Sequence, residues 1–341
     1  MMKHLLPPTN YYRANLHCHS TISDGAFSKE ELKQIYKSRG YQILAITDHN
    51  LTIPHPELED EDFLLITANE INIDEKTPIG PYGKTYHLNL YAKQRNSRWQ
   101  PALPQKIYSE EGAMHAQLAQ SADLPFRYDV ESVNKIISAA NENGFLVCYN
   151  HPTWSMQSYP DYAGLKGLWG VELYNTCTCL GGCDENNNRV YQDMLVAGQR
   201  LFPVAADDLH HRDNPKKIAG GWVMIGAEKL EYETVLAAME RGDLYASTGA
   251  EIHDITVSDG ILTVDCSPAH CIKITSHCRR GGGHFTPAEG ETTISHCELD
   301  LNQWLKIWQE DGQENAFVRV EIIGPENKRA YSRPYRLEEL I

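Results

Sequence analysis

The sequence predicts an α/β fold joined to a small antiparallel β domain. From residue 13 to about 241, apolar runs of strand length alternate with amphipathic helical stretches, the pattern of parallel β-α-β units. Candidate metal ligands recur where those strands end. After about Ala246 the helical period stops, and short alternating strands separated by turn residues take over. The boundary is expected near Ser247-Thr248-Gly249, dividing the chain into 1–246 and 247–341.

Taken in order, residues 13–20 read as the first strand. Ser28-Lys29-Glu30-Glu31 is a capping box, opening a helix that Gly40 stops. Residues 41–47 form a buried strand ending in Asp48-His49-Asn50. Phe63–Ala68 is a strand ending near Glu70, and residues 86–91 are another, carrying His87. A helix over 130–143 shows Val133, Ile136, Ile137 and Ala140 on one face, and the strand 145–149 leads into Asn150-His151-Pro152. The strand 169–174 ends at Asn175. A helix over about 185–198 precedes the strand 201–206, which runs into Asp207-Asp208-Leu209-His210-His211. A strand at 222–225 and a helix at 234–241 follow. Residues 95–128 break the alternation with Pro101, Pro104 and Pro125, and read as an insertion over the strand ends.

With 31 basic against 46 acidic residues the formal charge is −15. Such a chain is a poor non-specific binder of nucleic acid or of an anionic membrane, whereas a small substrate held by metal ions is allowed. No apolar run in Met1–Tyr12 reads as a signal peptide, and no stretch approaches a membrane span. Nine cysteines, an odd and scattered set, favour free thiols and a cytoplasmic location. Oligomeric state is not legible.

The candidate ligands are His17, His19, Asp24, His49, Glu70, His87, His151, Asp208 and His210. All but His87 lie at or just beyond the C-terminal end of a strand, where parallel α/β folds build their sites. His17 and His19, and again Asp208 and His210, share a face through the period of two. Nine nitrogen and oxygen ligands exceed the needs of one ion and suit two or three. The donor mix without thiolates fits zinc, manganese or iron.

These pieces together resemble the PHP (polymerase and histidinol phosphatase) family. The matching stretches are Leu16-His17-Cys18-His19-Ser20 with Ser23-Asp24-Gly25, Ile46-Thr47-Asp48-His49, Glu70, His87, Asn150-His151-Pro152 and Asp207-Asp208-Leu209-His210, in the family's order. The resemblance implies a distorted (β/α)7 TIM-like barrel with a metal cluster. It implies one ion on His17, His19, Glu70 and Asp208, a second on Asp24, His49 and His210, and a third bridged by Glu70 to His87 and His151. The run Thr67-Ala68-Asn69-Glu70 lacks the glycine many members have there, which leaves Glu75 as a distant substitute for Glu70. The C-terminal part resembles the β appendage of a subgroup that includes carbamate-ester hydrolases.

The expected activity is hydrolysis of a small phosphate ester, a phosphomonoester first, by a metal-bridging hydroxide. Alternatives are a carboxyl or carbamate ester on the same cluster, or a non-catalytic metal-binding interaction module. Asp48 is a candidate to orient an imidazole, Asn175 to touch substrate or a water at the mouth, and either His211 or a metal-bound water to protonate the leaving group. Arg212, Arg189 and Arg127 are candidates for phosphate. Cys177, Cys179 and Cys183 read as a plain loop. The pairs His270-Cys271, His277-Cys278 and His296-Cys297 raise the question of a structural zinc site in the appendage.

Overall fold

The computed structural model describes residues 2–78, 83–184 and 186–341. Ser28 caps the helix Lys29–Lys37, accepting from the Glu31 amide while the Glu31 carboxylate accepts from the Ser28 amide. Its Leu32 and Tyr36, one turn apart, are buried. Asp129 caps Val130–Glu142, whose buried face is Val133, Ile136, Ile137 and Ala140, as the period requires. Among the described residues no helix is long and apolar enough to cross a membrane.

The architecture is mixed α/β, built on one 14-stranded sheet. Seven of its strands position the site, in the spatial order Phe202–Ala206, Gly170–Asn175, Phe145–Tyr149, Thr85–Ala92, Leu64–Asp74, Ile43–Ile46, Asn10–Asn15. The two ends of this run meet just past Asn15 and Ala206. Cys18 and Leu209 form a parallel bridge there, with the His19 amide donating to the Leu209 carbonyl at 3.1 Å and the Asp208 amide to the His17 carbonyl at 2.9 Å. Hydrogen bonding therefore runs in a closed circuit, and the segments after the first and last strands lie side by side.

The circuit is not parallel throughout. Thr85–Ala92 runs antiparallel to both Leu64–Asp74 and Phe145–Tyr149. Its N-terminal end therefore lies beside its neighbours' C-terminal ends, which is where His87 stands. The exception noted in the sequence is thus a consequence of strand direction. Leu64–Asp74 also runs well past the expected end near Glu70, because residues 68–74 pair with the reversed strand as a hairpin. Glu70 still sits level with the end of its parallel neighbour, bridging to His49.

Alternate residues of these strands, among them Ile43 with Ala45, Ile66 with Ala68, and Val204 with Ala206, share one buried cluster. The helix face Val133, Ile136, Ile137 and Ala140 packs in another with Phe145, Val147 and Tyr149. The insertion contributes the helix Glu110–Leu118, capped by Ser109, whose hydroxyl donates to the Ile22 carbonyl and fastens the insertion beside the Asp24 loop.

The expected boundary at 246/247 falls inside a strand. Leu244–Ser247 pairs antiparallel with Trp222–Ala227 on one side and Arg329–Ser332 on the other, so the large sheet continues into the C-terminal third. A four-stranded sheet, in the order Lys3–His4, Ile252–Ser258, Ile261–Ala269, Ile294–Asp300, also takes in the chain start. Leu5 and Leu6 are buried there with Ile255, Leu262 and Val320. A helix the sequence reading missed, Asn302–Glu310, packs Leu305 and Trp308 into the same cluster. Its signal was present in Leu301, Leu305 and Trp308 at helical spacing.

Gly25 closes the turn beyond His19, its amide donating to the Ser20 carbonyl at 3.0 Å. A Cβ at this position would lie 2.0 Å from the His19 carbonyl oxygen. Gly25→Ala is expected to destabilise the fold by about 1–3 kcal/mol through backbone displacement. A thermal melt checks this, and an unchanged midpoint would contradict the close packing.

Candidate metal centre

His17 and His19 follow the strand Asn10–Asn15 and are fully buried, while Cys18 between them turns the other way to pack with Leu32, Tyr36 and Leu44. Asp208 and His210 follow Phe202–Ala206 across the Cys18–Leu209 bridge. Asp208 and His151 both have left-handed backbone, with φ of 54° and 24°. Such conformations are uncommon outside glycine and gather at functional sites.

The nine residues singled out by the sequence converge. His17 Nε2 lies 3.2 Å from Glu70 Oε1 and 3.1 Å from Asp208 Oδ1. His19 Nε2 is 3.3 Å from Glu70 Oε2 and from Asp208 Oδ1. The Asp24 carboxylate is 3.5 Å from His49 Nε2 and 3.4 Å from His210 Nε2. Glu70 Oε1 is 3.0 Å from His87 Nδ1 and 3.3 Å from His151 Nε2. Four groups each bring their donor atoms within 4.8 Å of one another: three drawn wholly from the nine, namely His17, His19 and Asp208, then His19, Asp24, His49 and His210, then Glu70, His87 and His151, and a fourth of His17, His151 and Glu172. His19 thus stands in two of them.

Burial alone would strip protons from these imidazoles, but the carboxylates beside them outweigh it. Asp208, Glu70 and Glu172 hold His17 well above its ordinary range. Asp208 and Glu70 raise His19 to about 10, and Glu70, Asp208 and Glu172 raise His151 to about 9. His87 goes the other way, because its burial prevails over Glu70. Burial would likewise raise the carboxyls of Glu70 and Asp208, yet His87, His17 and His151 hold Glu70, and His17, His210 and His19 hold Asp208, well below the carboxylate range. Three buried or half-buried carboxylates facing six imidazoles make a strong cation-attracting field.

Four of the converging atoms are buried without a hydrogen-bond partner: Glu70 Oε2, Asp208 Oδ1, His49 Nδ1 and His87 Nδ1. They have close neighbours, yet none is aligned for a hydrogen bond. Buried polar atoms left unsatisfied are costly. A borderline divalent cation, bound by nitrogen and carboxylate oxygen, would satisfy all four. The donor set therefore fits metal.

The groups that hold this cluster were mostly absent from the sequence reading. Glu172, wholly buried, accepts at 2.9 Å from His17 Nδ1 and at 3.0 Å from the His151 amide. Its only signal is a carboxylate inside the apolar strand Gly170–Asn175. Asn150 donates to Glu70 Oε1 at 2.8 Å, and the Ser155 hydroxyl lies 3.2 Å from His151 Nδ1. Such partners set ring orientation and ligand basicity.

Several expected roles change. Asp48 touches no imidazole; it accepts from the Ser20 amide and from the hydroxyls of Ser20 and Ser23, both at 2.6 Å. The Ser23 hydroxyl lies 3.5 Å from His19 Nδ1, so Asp48 acts on His19 only through Ser23. Asn175 is fully buried and is not among the residues that line the cavity over the cluster. Its amide donates at 3.0 Å to both Glu172 and Asp208, and its oxygen accepts from the Thr178 amide, making it a positioning residue. Asp207 is a structural anchor, accepting from Tyr36, Thr176 and the amides of Ala219, Gly220 and Gly221. Glu75 is in the hairpin beyond, accepting from the Lys84 amide.

A cavity of about 380 Å³ opens over the cluster, lined also by Trp154, Cys177, Thr178, Gly181, Cys183, His211 and Lys217. His211 lines the cavity. The arginines do not: Arg212 pairs with Glu31 at 2.5 Å over the Phe27 ring, Arg189 pairs with Asp193, and Arg127 is exposed away from the lining. Lys217 is the cation in the wall. In the C-terminal part, His296 is exposed while Cys297 is buried, and His270 is exposed while Cys271 is buried. His296 and Cys297 are neighbours on the strand Ile294–Asp300 and face opposite ways. Among the described residues no donor group there gathers to metal-binding distance.

No family model matches the chain. The DNA polymerase/3'-5' exonuclease PolX of Bacillus subtilis (strain 168) is 53% identical over 38 residues, 11% of this chain and only 7% of that protein's length. A two-domain protein of Bacteroides vulgatus ATCC 8482, containing a predicted PHP-like metal-dependent phosphoesterase, overlaps 98% of both chains at 14% identity and a TM-score of 0.41. A protein of Bifidobacterium adolescentis ATCC 15703, to which metal-dependent phosphoesterase activity is ascribed, overlaps 61% of this chain and 90% of its own at 16% identity and a TM-score of 0.40. Overlaps at this level do not by themselves define the fold or the activity of this chain.

Glu172→Gln removes the charge that orients His17 while keeping the shape. It is expected to weaken metal binding about 10–100-fold. Competition with a chromogenic chelator measures this, and an unchanged affinity would remove Glu172 from the site.

Proposed function

We propose that this chain is a PHP-type metal-dependent hydrolase acting on a small phosphate ester, a phosphomonoester first. The seven-stranded circuit is then that family's distorted (β/α)7 barrel with one strand reversed, and the β-rich C-terminal third continues its sheet. The observation that carries the reading is the convergence of nine ligand side chains whose innermost buried atoms lack hydrogen-bond partners. A purely structural cluster would have satisfied them. We assign two or three divalent ions, zinc, manganese or iron, to the three groups drawn wholly from the nine. The cysteines of the described residues form no disulfide, which fits a reducing compartment such as the cytoplasm.

Ions bound here supply Lewis acidity and make water a nucleophile near neutral pH. The residues do the rest. His17, His19 and Asp208 would hold one ion, Asp24, His49 and His210 a second, and Glu70 with His87 and His151 a third. Glu172 and Asn175 lock His17 and Asp208 in place, so no reorganisation is needed as charge develops. Lys217, whose ammonium lies 3.0 Å from the Asp213 carboxylate, presents the wall's cation to the ester's anionic oxygens. His211, exposed beside the His210 ring, is placed at the mouth to hand a proton to the departing oxygen.

Elemental analysis of protein purified without chelator is expected to find about three metal equivalents, falling toward two in His87→Ala. Phosphate monoesters should be cleaved in preference to aryl carboxyl and carbamate esters. One equivalent or none would overturn the cluster, and ester or carbamate turnover without phosphatase activity would overturn the substrate class. Lys217→Met is expected to raise KM about tenfold with kcat little changed, as for a group that binds ground and transition states alike. An equal fall in kcat at unchanged KM would contradict that role.

A further inference from the structure

Trp154 is unlike every other residue lining the cavity. Apart from the histidines it is the one aromatic ring among the described lining residues. It is 44% exposed, although a tryptophan gains much from burial. Its ring lies 5.0 Å from that of His151 and 5.6 Å from that of His87, over the Glu70, His87 and His151 group.

The ring is not on a loose loop. It rides a turn fastened at both ends to the site. The His151 amide donates to Glu172, the Ser155 amide to the His151 carbonyl at 3.0 Å, the Met156 amide to Thr153 at 3.1 Å and the Gln157 amide to Pro152 at 3.0 Å. His151 and Met156, on either side, both have positive φ, 24° and 57°. Strained backbone around an exposed ring is a costly arrangement that the fold nonetheless over-determines. An apolar ring held rigidly at the mouth of a charged cavity is the form of a recognition surface, because little ordering entropy is lost when a ligand covers it. On the opposite flank, the 37% exposed Tyr108 of the insertion stacks 6.5 Å from His49, with the Lys106 ammonium 4.0 Å from its ring. The cavity lining thus carries an aromatic face beside His151.

We infer that Trp154 is the stacking surface for the organic part of the substrate, and that this site prefers esters carrying an aryl or similarly flat apolar group next to the reacting oxygen over those of polyols. The substrate class rests on the phosphoesterase reading; the stacking role does not.

The test uses metal-loaded protein and two pairs of small anions, phenylphosphonate with methylphosphonate and phenylacetate with acetate, titrated calorimetrically. Phenylphosphonate is expected to bind about tenfold more tightly than methylphosphonate, the scale of one ring-stacking contact with its buried area. Trp154→Ala should bring that ratio close to one, leaving methylphosphonate binding and metal content as in the parent, and Trp154→Phe should restore part of it. Phosphonate binding with no Trp154-dependent preference would overturn the inference and leave the phosphoesterase reading standing. Failure of both phosphonates, with a Trp154-dependent preference between the two carboxylates, would overturn the phosphate reading and leave the stacking role standing. Absence of binding by all four anions would overturn the inference.

Discussion

Glu70 lies within 3.4 Å of five imidazoles: His17, His19, His49, His87 and His151. Its carboxylate is buried, so it cannot use water to balance its charge. Without it those rings would face one another across a low-dielectric space with nothing between them. The Nε2 atoms of His17 and His19 are already 3.3 Å apart. Two neighbouring groups hold this carboxylate and its rings in place. Asn150 fixes Glu70 itself, and Glu172 fixes His17 and the backbone of His151.

Two backbone features make that convergence possible. The bridge between Cys18 and Leu209 brings the first and last strands of the run together, which sets His17 and His19 against Asp208 and His210. The reversal of Thr85–Ala92 brings the start of a strand to the end where its neighbours finish, which adds His87 to the same mouth. A fully parallel arrangement would have put His87 at the far end of the sheet, away from Glu70. The Asp48 carboxylate plays a quieter part, tying Ser20 and Ser23 together so that the turn carrying Asp24 keeps its shape.

The C-terminal third is bonded into this frame rather than appended to it. Leu244–Ser247 belongs to the same sheet as the site strands and also pairs with Arg329–Ser332. The helix Asn188–Val196, which follows the loop carrying Gly181 and Cys183, meets the same region through Arg319, whose guanidinium donates to Asn188 and Gln192. One wall of the cavity is therefore connected through a short stretch of chain to a buried polar contact with that third. That contact gives partners to a buried arginine on the strand face that also carries the buried Glu321.

The nine side chains that converge could be singled out in the sequence because their signal is local. An i, i+2 pair at a strand end declares its shared face without reference to anything distant, and a capping box or a helical stripe does the same. What the tertiary structure alone decided involves partners far apart in the chain. Glu172 reaches His17 across 155 positions, and Asn175 reaches Asp208 across 33. Nothing local distinguishes such a residue from any other polar side chain in a strand. Arg212 looked like a phosphate ligand from its place beside His210 and His211, but the nearby Glu31 claims its guanidinium. The direction of Thr85–Ala92 and the continuity of the sheet through residue 246 were invisible for the same reason. Periodicity reports which face a residue takes, whereas strand direction and pairing are set by which surfaces meet once the whole chain is packed.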